Sequence, residues 1–245
     1  MADLYSDLEI CYRDEHIICI NKPVGMLSHR TSIDAHEKTN ALAAFRDQIN
    51  RYVYPVHRLD KPTSGLLLFA LDKETAASLT EKFTQKTISK KYLGIVRGYT
   101  EDAFCIDYPL KKMYDKKDKH STKESQPQEA ITQIKTLART ELNYSTGKYP
   151  TSRFSLIEAL PQTGRQRQIR RHLKHIFHPL VGDTAHGDGK QNRLFREKFD
   201  CHRLLLHARI LQFQHPQTKK DITITAKLDK GFSTLIQQVF SIELI

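Results

Sequence analysis

At 245 residues, 39% of them apolar and 27% charged, the chain has ample material for a core and for either one large domain or two small ones. No stretch approaches the roughly 20 apolar residues that span a bilayer, the opening MADLYSDLEI is no secretion signal, and four scattered cysteines form neither a C-x-x-C pair nor a disulfide framework; a cytoplasmic protein is expected. Thirty-nine Lys and Arg against 28 Asp and Glu leave a net charge of +11, which attracts polyanions, nucleic acid above all.

In chain order, LEICYRDEHIICINKP (8–23) is expected to form a hairpin around Arg13-Asp14-Glu15, closed by Lys22-Pro23 and a turn at Val24-Gly25. HEKTNALAAFRDQI (36–49) has helical spacing at Leu42, Phe45 and Ile49, and RYVYPV (51–56) is a short strand. GLLLFAL (65–71) is a continuous apolar run of the kind a strand covered on both faces requires. Asp72 is placed to cap a helix over 73–85 with Ala76, Leu79 and Phe83 on one face. Strands are predicted at 90–98, 103–110, 130–140 and 151–162, with the lysine-rich stretch 111–127 as a solvated loop. A basic helix runs from Gly164, followed by a loop over 178–192, two strands (203–216 and 221–228) and a short last helix. This irregular mixture with adjacent hairpins predicts an α+β fold, a mixed and mostly antiparallel sheet in a single domain spanning 1–245.

The basic helix carries the first chemical signal. At about 100° per residue, Ile169, Leu173, Ile176 and Phe177 form an apolar stripe, with Arg167, Arg171 and Lys174 on the far side. Arg170 lies on the border, about 20° beyond Phe177, where a guanidinium needs an anion, either a functional one or a structural ion-pair partner. Thr163-Gly164-Arg165 makes a tight turn whose N–H groups can attract phosphate. His172, His175 and His178 step round the helix rather than converge, so no metal site is expected. The phosphate-loop, serine-hydrolase and zinc-protease motifs are missing. What remains is Asp60, between Arg58 and Lys61 in PVHRLDKPTSG, either as a turn residue or as a reactive carboxylate.

HRLDKPTSGLLLFA (57–70) resembles the catalytic segment of the RluA-type pseudouridine synthases, H-R-L-D-x-x-T-S-G-[LIV]. NKPVGMLSH (21–29), KKYLGIVRG (90–98), TGRQRQIRRHLKHIFHPLVGD (163–183) and RLLLHA (203–208) resemble further segments of that family, in family order. The resemblance implies that Asp60 is the essential catalytic residue, that Tyr92 packs against the target base, and that Arg170 pairs with the aspartate. Arg58 matches the arginine that opens the RNA around the flipped uridine. Substrate binding is assigned to His57, Arg58, Lys61, Arg165, Arg167, Arg171 and Lys174. Arg167 departs from the family pattern, which has histidine there, so no role is carried over to it. The implied reaction converts uridine to pseudouridine with no metal and no cofactor. RNA is the expected partner, and the chain is read as a monomer with no protein partner and no membrane. The absence of an S4-like N-terminal domain, KYPTSRFSLIEALPQTGR (148–165) and HGDGKQNRLF (186–195) resemble a branch that acts on tRNA at uridine-65. Ribosomal RNA as substrate, and a noncatalytic RNA binder, are the alternatives.

Overall fold

A computed structural model of the chain describes residues 7–29, 40–113 and 126–242. They pack as two compact units, Met1–Tyr92 with His207–Leu228, and Leu93–Leu206 with Asp229–Ile245.

In the first unit, strands β1 (Ile10–Arg13) and β2 (Ile17–Lys22) form the expected hairpin. After helix α1 (Ala41–Ile49) and the two-residue strand β3 (Tyr54–Pro55), strand β4 (Ser64–Ala70) lies antiparallel to β2. All seven β4 residues are buried. Leu66, Leu68 and Ala70 enter one core cluster with Leu79 of helix α2 (Lys73–Thr84), while Leu67 and Phe69 enter a second with Phe45 of α1. The side-chain alternation of a strand thus feeds two cores at once. Asp72 caps α2 as expected, its carboxylate accepting the Thr75 N–H at 2.7 Å. Strand β5 (Ser89–Arg97) runs out of this unit into the second. Strand β9 (Leu206–Gln214) pairs in parallel with β4 and antiparallel with β10 (Asp221–Thr225). At the parallel crossing Gly65 has φ +107°, and a Cβ there would lie 2.3 Å from the Ala208 carbonyl oxygen; no other residue fits. Residues 36–39 of the expected first helix and 114–125 of the lysine-rich stretch lie outside the described residues.

In the second unit, β6 (Ala103–Asp107), β7 (Ile131–Leu142) and β8 (Ser152–Pro161) form an antiparallel meander. Helices α3 (Gln168–His175), α4 (Gly189–Phe199) and α5 (Lys230–Phe240) complete it. Phe154 of β8 meets Phe195 of α4 edge-on, with ring centroids 4.9 Å apart.

Two expectations are corrected here. The basic helix begins at Gln168, four residues later than expected, because Arg167 sits in the left-handed region (φ 55°) as its N-cap residue. It also ends a turn early: Phe177 has φ 63° and is 78% exposed, so it leaves the predicted stripe, and Ile176 is only half-buried. The buried face is instead Gln168, Ile169, Arg170, His172 and Leu173. The second correction is α4, which occupies part of the predicted loop and the residues after it; Asp188 caps it through the Lys190 and Gln191 N–H groups.

Candidate active site

The loop bearing Asp60 is fastened at almost every residue. Ser28 Oγ donates to the Leu59 carbonyl at 2.9 Å and accepts the Leu59 N–H at 3.0 Å, clamping the residue before Asp60 from both sides. The Lys61 carbonyl accepts from the Gly25 N–H at 3.0 Å and from Lys22 Nζ at 3.3 Å. The Thr63 N–H closes a turn onto the Asp60 carbonyl at 3.0 Å. Lys22 itself is completely buried, and its ammonium also donates to the Pro23 and Met26 carbonyls, both at 2.8 Å. Three carbonyl oxygens therefore meet its three N–H donors in place of water.

Within this unit His57, Arg58, Asp60 and Lys61 share the loop, and Tyr92 lies within electrostatic reach of Asp60. Burial pushes the Tyr92 phenol up, and the negative charge of Asp60 pushes it further the same way. Tyr92 is consequently held as a hydrogen-bond donor rather than a phenolate. His57 turns inward: its Nε2 accepts the Leu68 N–H of β4 at 2.9 Å and its ring stacks on Phe83 of α2 at 4.8 Å. Burial, seconded by the Lys90 charge, pushes this imidazole down to about 3. Its ring nitrogen is committed to the scaffold. Arg58 is exposed, and its charge adds to burial in lowering the pKa of His29.

In the second unit, Arg165, Arg167, Arg170, Arg171 and Lys174 gather along the turn and first two turns of α3. Gln168 replaces a capping side chain. Its Oε1 accepts from the Arg165 N–H (3.0 Å) and the Thr163 hydroxyl (2.7 Å), while Nε2 donates to Ile131 O and Thr132 Oγ1. Arg170 points inward, Lys174 outward, and Arg165, Arg167 and Arg171 are partly exposed. Arg170 forks onto Asp183, Nε to Oδ2 at 2.7 Å and Nη2 to Oδ1 at 2.9 Å. Burial opposes the Asp183 charge, but Arg170 and the Ala185 and His186 N–H groups outweigh it and hold the carboxyl below its ordinary value. Asn192 of α4 braces the same loop, accepting the Gly182 N–H at 2.7 Å and donating to the Asp183 carbonyl at 2.9 Å.

Four supporting residues were missed from the sequence: Lys22, Ser28, Asp183 and Asn192. Lys22 and Ser28 stand in the N-K-P segment and Asp183 in the Gly-Asp ending, so the motif strings held them without showing their partners. The three histidines of the expected helix go separate ways: His172 to Thr132 Oγ1 and the Tyr108 carbonyl, His175 onto the Tyr108 ring, and His178, beyond the end of α3, to the Arg97 carbonyl. Among the described residues no group of three or more His, Cys, Asp or Glu side chains can hold a metal ion. Nor is any described helix long and apolar enough to cross a membrane.

Residues 16–175 match the model of the family described as RNA pseudouridylate synthase. The chain belongs to this family, isomerases that turn uridine in RNA into pseudouridine. More narrowly, it is 51% identical over 232 residues to a protein of Haemophilus ducreyi named tRNA pseudouridine synthase C, covering 95% of this chain and 96% of that one. A Vibrio vulnificus protein of the same name is 50% identical over 232 residues, covering 94% and 95%. The fold matches the solved human RNA pseudouridylate synthase domain containing 4 with a TM-score of 0.70 at 24% identity, covering 94% of this chain and 92% of that one. The mixed, mostly antiparallel α+β architecture is thus that of the family.

Proposed function

We propose that this enzyme isomerises uridine-65 of tRNA, acting as a monomer in the cytoplasm with both units serving one catalytic domain. The observation that carries the tRNA assignment is the near full-length identity to relatives named for tRNA. Free thiols at Cys11, Cys19, Cys105 and Cys201 suit a reducing compartment. Asp60 is the catalytic carboxylate, and its fastened loop supports that role, since a reagent must be held to within a fraction of an ångström. It assists breakage of the N1–C1′ bond; the uracil turns, C5 joins C1′, the C5 proton leaves and N1 gains one. Tyr92, held protonated, packs against the base as a hydrogen-bond donor, and Asp60 accepts the C5 proton. Arg170, anchored by Asp183, is required for turnover. Arg58, Lys61, Arg165, Arg167, Arg171 and Lys174 bind RNA, while His57 positions the loop.

Release of tritium from C5-labelled, unmodified tRNA and ribosomal RNA tests this directly. Release from tRNA alone, abolished by Asp60→Asn with RNA affinity retained, is expected. Release only from ribosomal RNA would move the substrate, and release from neither would leave a noncatalytic binder.

A further inference from the structure

Beside the start of α3 the second unit has a cavity of about 260 Å³, walled by Leu110, Lys111, Lys112, Gln128, Arg165 and Arg171 together with Gly164 and Gln166. Four of these side chains are cations and none is a carboxylate. A cluster of surface lysines would by itself be only a solvated face. Here, however, both guanidinium groups are pinned, and by main-chain carbonyls. Arg165 Nε donates to Glu129 O at 2.9 Å; Arg171 Nη2 donates to Lys111 O at 3.0 Å, and its Nη1 to Gln166 O at 3.4 Å. A carbonyl orients a guanidinium without cancelling its charge, so the positive charge is fixed in place and still available to an anion. Among the described residues, Arg165, Arg171 and Lys111 have no carboxylate partner.

The walls also say which part of a nucleic acid fits. A base is held by stacking on aromatic rings, and no aromatic residue lines this cavity. Forked N–H donors and ammonium groups suit a phosphate. Resting on the reading that the substrate is RNA, we propose that this cavity is a phosphate-binding site that takes a backbone phosphate of that RNA, with Lys111 as a ligand beside Arg165 and Arg171.

The test is the salt dependence of tRNA binding by the full chain, in KCl from about 50 to 200 mM. Each neutralised phosphate contributes about 0.9 to the slope of log K against log salt. Arg165→Gln and, separately, the exposed Lys111→Gln are expected to flatten that slope by about 1 each. Lys220→Gln, which removes the same charge from an exposed site elsewhere, should leave it unchanged. Lys111→Gln touches no pinned side chain, so it remains informative if Arg165→Gln fails to fold. Equal flattening by all three variants, or by none, would overturn the site. Inorganic phosphate distinguishes the other source: if it displaces tRNA no better than chloride at matched ionic strength, the RNA backbone is the ligand. Titration by free phosphate with an unaltered tRNA slope would overturn the proposal. Tritium release by the wild type is read separately, so failure of the catalytic assignment and failure of this site are told apart.

Discussion

Arg170 and Asp183 form a two-point ion pair shut away from water, their side chains only 5% and 1% exposed. The pair reconciles two readings of Arg170, because an arginine locked by a structural partner is also an arginine held at a fixed position. Asp183→Asn should therefore be severe. Removing one member of a buried pair costs about 3–5 kcal/mol, readable as a lower urea midpoint, and tritium release should fall with it. Arg170→Ala should likewise reduce turnover far more than Arg171→Ala. Equal, small effects of these two substitutions would count against a role for Arg170 in turnover.

Lys22→Met keeps the length of the buried side chain and removes all three of its donors. The carbonyl oxygens of Pro23, Met26 and Lys61 lose this donor, although that of Lys61 keeps the Gly25 N–H, and a buried carbonyl left unsatisfied costs about 1–3 kcal/mol. One of them is the carbonyl of Lys61, next to Asp60. We expect at least a tenfold fall in single-turnover tritium release with circular dichroism unchanged. Normal turnover would mean that the loop holds its shape without this ammonium.

Acid should unfold the protein partly through His57. Its folded-state pKa of about 3 lies below the ordinary 6.5, so the unfolded chain binds the extra proton between those values. The contribution is complete above about 6.5 and is lost as pH falls toward 3. Asp183, also lowered, loses its contribution at the acid end as pH falls through its folded value. His57→Gln keeps an acceptor for the Leu68 N–H and cannot titrate. Its urea midpoint should drop less than that of the wild type between pH 6.5 and 4.5, and an identical drop would exclude His57 as a source.

Two glycines in the first unit make a paired test. Gly25 has φ +81° and open space around a Cβ, so Gly25→Ala should cost only the left-handed backbone strain, about 1–2 kcal/mol. Gly65→Ala adds a collision with the Ala208 backbone and should cost more than about 3 kcal/mol or prevent folding. Similar midpoints for the two variants would show that β4 and β9 separate easily.

Tyr92→Phe removes the phenolic donor and keeps the ring that we propose packs against the base. Turnover is expected to fall while affinity for tRNA stays within a few-fold. A variant that bound poorly but turned over normally at saturation would assign the hydroxyl to binding alone.

Much of the first unit was legible because its signals are local. A seven-residue apolar run announces a strand buried on both faces, and an aspartate before a periodic stretch announces a cap. Arg170 was legible as a half-hidden arginine, since burial follows from the helical wheel. Its partner was not: Asp183 arrives after the helix has ended and the chain has turned back. The wheel also assumed that the helix continues through Phe177, whose left-handed backbone no periodicity reveals. Helix α4 escaped because Gly189 and Asn192 look like loop and only Leu194, Phe195 and Phe199 are apolar in its eleven positions. Lys22 escaped because its burial depends on carbonyl groups of separate segments that meet only in the folded chain.

The pairing of β4 with β9 joins Ser64 to His207, 143 residues further along the chain. During synthesis, then, the strand that follows Asp60 waits for its neighbour until nearly the whole polypeptide has been made. A chain stopped before His207 would contain every residue of the H-R-L-D segment and lack the strand that pairs with Ser64 and Gly65 at the start of β4. The H-R-L-D segment is therefore complete in a growing chain long before the sheet beside it is.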